Sequence, residues 1–141
     1  MMTMVLGFSE TDKRTGQPTN FRGLILDGVK LHSLRAGKRW KEGMPIQMAT
    51  GVRTKSQKVF NKDREDLSTC QGVQDVTITA KETEGLGIHF VIMVDSRRLS
   101  RTEATLLATN DGFNSLYDFL TWFHKDGDFD GQIVHWTTLK Y

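Results

Sequence analysis

The chain has a single cysteine, Cys70, in 141 residues. An internal disulfide is therefore excluded, and a lone thiol suits a reducing cytoplasm. Cys70 itself reads as a small buried or half-buried side chain rather than a reactive one. No apolar run approaches the roughly 18 residues that a membrane-crossing helix needs. The opening "MMTMVLGFSETDKR" has no basic region followed by a long apolar stretch, so no secretory leader is expected. Internal repeats and low-complexity segments are absent. The four histidines (His32, His89, His124 and His135) show no zinc-ligand spacing, and Cys70 has no cysteine to join it. There is no G-x-S-x-G, and no glycine-rich loop ending in Lys-Ser or Lys-Thr. These absences point away from metal or cofactor chemistry and leave a cytoplasmic protein of one domain, residues 1–141, as the expectation.

Composition is that of a soluble globular protein, 38% hydrophobic and 26% charged. The net charge of +2 conceals a segregation. Residues 30–58 hold Lys30, Arg35, Lys38, Arg39, Lys41, Arg53, Lys55 and Lys58 against Glu42 alone, a balance of +7. Residues 102–141 hold Lys125 and Lys140 against Glu103, Asp111, Asp118, Asp126, Asp128 and Asp130, a balance of −4. Such separation produces a local field that suits an anionic partner, or that the acidic half partly neutralises in the fold.

Strand signals are the commonest. "MVLGF" is short and apolar, "PIQMATG" follows the basic turn, and "VQDVTITAK" and "GIHFVIMVD" are rich in β-branched residues. "KLHSLR" alternates, with Leu31, Ser33 and Arg35 on one face and His32 and Leu34 on the other. "GQIVHWTTLKY" reads as a last strand. Three helices are expected. Asn20 caps a short one over "FRGLILDG", stopped at Gly28. Ser100 and Glu103 stand in capping-box spacing before "TEATLLATNDG". Ser115 caps "SLYDFLTWF", which carries Leu116, Phe119, Leu120 and Phe123 at helical spacing. Phe119 and Trp136 should be buried. Residues 51–72 are polar and irregular, with a helical turn near "FNKDREDL". Strands without regular βα alternation suggest an α+β sheet or a small mixed barrel with short flanking helices.

"DGDFDG", Asp126 to Gly131, resembles the start of a calcium loop, but the twelfth position is Thr137 and not Glu, so a polar turn is expected. Trp40, flanked by Arg39 and Lys41, is a candidate for stacking on a base. Lys30 and Ser33 could form a base–hydroxyl pair, because burial lowers a lysine pKa. Three positions apart on a strand point to opposite faces, so Lys30 must lie in the turn after Gly28 for both to reach one site.

"GVKLHSLRAGKRWKEGMPIQM" places Gly28, Lys30, Ser33 and Arg35 on a G-x-K-x-x-[E/T]-x-R pattern, followed by a basic turn and a W-K-x-G entry to a strand. This resembles the ASCH domain, a family of small proteins with a PUA-like β-barrel. "ATNDGFNSLYDFLTWF" is similar to the family's acid-then-helix segment, and "GQIVHWTTL" to its closing strand; small phage-encoded members look most alike. The resemblance covers about two thirds of the chain. It implies a function linked to RNA or to coactivators, or hydrolysis of the acyl group of N4-acetylcytidine by a Lys, a Thr three residues on and a later Glu. Lys30, Ser33 and Asp111 would occupy those catalytic positions. For Lys30 to act as a base, Asp111 must not pair with it tightly. Arg35, Lys38, Arg39, Trp40, Lys41, Arg53 and Lys55 would contact RNA or a modified nucleotide. A binding module and a hydrolase, either an amidohydrolase or a ribonuclease, both remain open.

Overall fold

The computed structural model describes residues 3–125 and 127–141. Among these residues eight strands form two sheets. The smaller comprises β1 (Met4–Phe8), β3 (Ile46–Thr50) and β4 (Lys58–Val59), with β1 and β3 parallel. The larger has the order β2 (His32–Ala36), β8 (Phe129–His135), β5 (Gly72–Thr83), β6 (Gly87–Val94) and β7 (Arg97–Arg98). All of its pairings are antiparallel. Three α-helices among the described residues complete this α+β arrangement: α1 (Phe21–Leu26), α2 (Arg101–Asn110) and α3 (Leu116–Phe123).

The larger sheet has two buried faces. Leu34, Val76, Ile78, Ile92 and Ile133 pack against Ala104, Leu107, Phe119 and Leu120 of α2 and α3. On the opposite face Val134 joins Leu6, Phe8, Ile25, Trp40, Met48 and Trp136. Ile133 and Val134 are adjacent on β8 and serve different cores, as the two-residue period of a strand requires. Phe119 and Trp136 are buried, as the spacing predicts. Cys70 is buried, and burial pushes its thiol pKa up.

Local sequence explains most of the ends. The Ser100–Glu103 capping box is formed in both directions, and the Ser115 hydroxyl accepts from the Asp118 backbone N–H. The 51–72 segment contains one 3-10 turn, Glu65–Leu67. Three expectations are corrected. Asn20 precedes α1 in the left-handed region (φ 55°) and makes no side-chain cap. Strand β8 begins at Phe129, so Phe129 and Asp130 of the "DGDFDG" run are strand, while Asp126 lies outside the described residues. The same strand ends at His135, so Trp136 to Tyr141 continue without strand pairing. No helix among the described residues is long and apolar enough to cross a membrane.

Candidate functional site

The turn after α1 sets the site. Gly28 (φ 76°) follows the helix, and the backbone N–H groups of Val29 and Lys30 both donate to the Leu24 carbonyl. The Leu31 N–H then donates to the Asn110 carbonyl at the end of α2 (2.8 Å). Lys30 therefore lies in the turn, ahead of β2, and its side chain runs towards Asp111, the C-cap of α2. Gly112 (φ 89°) is needed here twice over. Its conformation is left-handed, and a Cβ would press on Lys30 Cδ at 3.2 Å.

Lys30 is fully enclosed. Its Nζ donates to the Asp111 carbonyl (2.5 Å) and lies 3.1 Å from Asp111 Oδ1. The Phe21 ring stands 4.7 Å from the ammonium. Loss of hydration lowers the lysine pKa to about 8, with the Asp111 carboxylate opposing the shift. The tight pairing is the arrangement that a free lysine base would have to avoid. Ser33 is not its hydrogen-bond partner either. The Ser33 hydroxyl accepts from Arg35 Nη2 (3.2 Å), and the same nitrogen donates to the Gly7 carbonyl (2.7 Å). Ser33 and Arg35 share a face of β2, as alternation predicts.

Behind Asp111 runs a chain of hydrogen bonds that short-range spacing does not reveal. His32 Nδ1–H donates to Asp111 Oδ1 (2.9 Å), and Tyr141 O–H donates to His32 Nε2 (2.6 Å). This tautomer follows from burial, which lowers the His32 pKa and keeps the ring neutral, since a carboxylate can only accept. Asn110 Nδ2 donates to the Tyr141 oxygen (3.0 Å). The Gln74 side chain holds the Tyr141 backbone from both sides. It also accepts from His135 Nε2–H (3.0 Å), whose ring packs edge-on to His32.

In front of Asp111 opens a cleft of about 250 Å³. Phe8, Phe21, Phe113, Trp122 and Phe123 line it, with Lys30, Ser33, Arg35 and Asp111 among the polar groups. Two polar atoms of this lining are buried without a partner: Asp111 Oδ2, an acceptor, and Arg35 Nε, a donor. Burial lowers the Arg35 pKa to about 10, still well above neutrality. Lys30, Ser33 and Asp111, the residues whose catalytic role only the ASCH resemblance implies, thus line one cleft across 81 positions of sequence.

The expected RNA contacts divide. Arg39, Lys41, Arg53 and Lys55 are exposed. Lys38 donates to the Gly131 carbonyl and lies 3.3 Å from both Asp75 and Asp130, so acidic residues partly neutralise it. Trp40 does not present its ring to solvent. It is 2% exposed, in the core beneath the basic turn, and its backbone N–H and carbonyl pair with the Gln132 side chain. As placed, the ring cannot stack on a base. No group of three or more His, Cys, Asp or Glu that could hold a metal ion occurs among the described residues. Set against models of known protein families, curated proteins and solved structures, the chain matches none.

Proposed function

We propose that the protein binds nucleic acid, RNA in the first instance, through a cleft that admits a single base. The observation that carries this reading is the pair of unpartnered buried atoms, Asp111 Oδ2 and Arg35 Nε, in an aromatic-walled cleft. Leaving a buried polar group unsatisfied costs about 1–3 kcal/mol, so a small turn of either side chain towards a ligand in the cleft recovers up to that much for each atom. It must offer a hydrogen-bond donor to Asp111 and an acceptor to Arg35. A carboxylate or a phosphodiester fails the first requirement. The edge of a nucleobase meets both, and its faces suit Phe and Trp walls. The volume accommodates one base rather than a drug-sized ligand. Exposed Arg39, Lys41 and Lys55 supply phosphate contacts outside it. In this reading the chain is an ASCH-like domain, and its two sheets correspond to a PUA-type barrel.

Calorimetric titration with the four ribonucleosides and with a short single-stranded RNA tests the proposal. Binding should discriminate between bases, and Arg35→Lys, which keeps the charge but not the Nε donor, should weaken it at least tenfold. Equal affinity for every base in both proteins would overturn it.

A hydrolase acting in the same cleft is the second reading, favoured by one observation: Lys30, Ser33 and Asp111 all line it. Hydrolysis of an N4-acylated cytidine, or of RNA, would require the Lys30–Asp111 pair to open when substrate enters and the ammonium to lose a proton to solvent, so that the neutral Nζ can take the Ser33 proton. Ser33→Ala should abolish release of acetate from N4-acetylcytidine, and Ser33→Thr should preserve it. Turnover retained in Ser33→Ala would remove Ser33 from the mechanism.

A further inference from the structure

Beside the cleft lies an open groove of about 550 Å³, and the two share Gly7, Phe8 and Ser9 as a common wall. Cleft and groove therefore adjoin along β1. The groove is also lined by residues 51–54 of the loop 51–57, Arg53 among them, and by Lys13. Both cations are exposed, and neither has an acidic side chain within ion-pair distance among the described residues.

The loop is built rather than loose. The Thr54 hydroxyl donates to the Gly51 carbonyl (2.6 Å) and accepts from the Ser56 N–H (3.1 Å). Arg53 itself is held in the left-handed region (φ 68°), with its N–H donating to Gln57 Oε1 (3.2 Å). A non-glycine residue kept there is strained by about 1–3 kcal/mol, a cost that often marks a functional position. The seat of the loop is equally specific. A Cβ on Gly7 would stand 2.7 Å from Val52 Cγ2, so Val52 can rest against β1 only because residue 7 has no side chain. That contact seats Val52 against Gly7, one of the residues that cleft and groove share, and Arg53 follows it in the lining of the groove. One carboxylate, Glu10, faces the same space and opposes an anion there.

We infer that the groove takes the phosphate of a phosphorylated nucleotide whose base occupies the cleft, with Arg53 and Lys13 as the phosphate ligands. The inference rests on the base-binding reading of the cleft and narrows its ligand class. A free nucleoside is an incomplete ligand, and a nucleoside monophosphate or a nucleotide within a strand is a complete one. Arg53 offers a planar fork to phosphate oxygens, whereas Lys13 acts as a mobile point charge.

Calorimetry at low ionic strength should compare the four ribonucleosides with their 5′- and 3′-monophosphates. At least one monophosphate should bind tenfold or more tightly than its nucleoside. In the double variant Arg53→Ala, Lys13→Ala that ratio should fall to near one, and in Glu10→Gln it should rise. Monophosphates that bind no better than nucleosides would overturn the inference while leaving the base cleft standing. A ratio that survives the double variant would also overturn it, by placing the phosphate elsewhere. If neither nucleosides nor monophosphates bind, the reading of the cleft falls, and the groove falls with it.

Discussion

Two basic regions lie a few residues apart and have opposite fates. Lys30 and Arg35 are drawn into the fold beside Asp111, whereas Arg39 and Lys41 stay in water on the turn that follows. The sequence makes them look like one patch. Burial separates them. An enclosed ion pair is retained only with excellent geometry, and removing one partner strands the other, while an exposed charge is screened and contributes little to stability. The first group can shape a pocket, and the second can attract an anion from a distance. A protein that needs both selectivity and encounter has reason to keep the two apart.

The sharpest way to break this contrast is at Asp111. Asp111→Ala removes the carboxylate that pairs with Lys30 and accepts from His32, and should cost about 3–5 kcal/mol in urea unfolding. Lys38→Ala, whose acidic partners are largely exposed, should cost less than about 1 kcal/mol. Similar losses in both variants would show that the Lys30 cluster is as solvated as the surface.

Within the turn, Trp40→Ala should lose about 3–5 kcal/mol as a core aromatic. Arg39→Ala with Lys41→Ala should change stability by no more than about 0.5 kcal/mol per site. That double variant should nevertheless flatten the salt dependence of RNA binding, at roughly 0.7 per lost phosphate contact on a log–log plot. A wild-type slope near zero would mean that the turn holds no phosphate.

Smaller effects should appear in pH dependence. Burial lowers His135 to about 3, so between that value and its ordinary 6.5 the unfolded chain binds the extra proton. Stability should therefore fall as pH drops through this window, and His135→Gln should lose less. Lys30, lowered to about 8, acts in the same direction higher up: stability should rise from about pH 8 towards 10.5, the ordinary lysine value. Lys30→Met should flatten that part of the profile. A melting temperature that is level across both windows would show that these groups keep their ordinary values in the fold.

Much of this frame is legible in the sequence. β-branched alternation marks β5 and β6, and Ser100, Glu103 and Ser115 mark two helix starts, because these signals are local. Gly28 even carries the condition under which Lys30 and Ser33 reach one site. What escapes is set by distance. His32 meets Asp111 and Tyr141 at separations of 79 and 109 positions, so no spacing rule could announce the chain of hydrogen bonds. Trp40 misleads for a related reason. Its neighbours are cationic, but its backbone is claimed by Gln132, 92 positions away. Asn20 is a different case, because a residue that favours helix caps also tolerates the left-handed conformation. Strands of two residues, such as β4 and β7, are too short to show any alternation.

The place of β8 carries a consequence for how the molecule is made. It is the last of the described strands in sequence, yet it lies between β2 and β5 and is the strand to which β2 pairs. During synthesis the site-bearing strand emerges with both edges bare and waits for most of the chain before it finds a neighbour. The hydrophobic face that carries Leu34 waits with it. Closure of such remote pairings is slow, in the range of milliseconds to seconds for sheet-rich domains, and unpaired strands invite association with other chains meanwhile. Refolding followed by stopped-flow fluorescence should show Trp136, next to the end of β8, reaching its native signal no earlier than the slowest phase. Fast burial of that ring would mean that β8 docks before its partners are in place. If the slow order holds, the pocket is among the last features to form, and a nascent chain cannot engage its ligand until β8 has paired with β2.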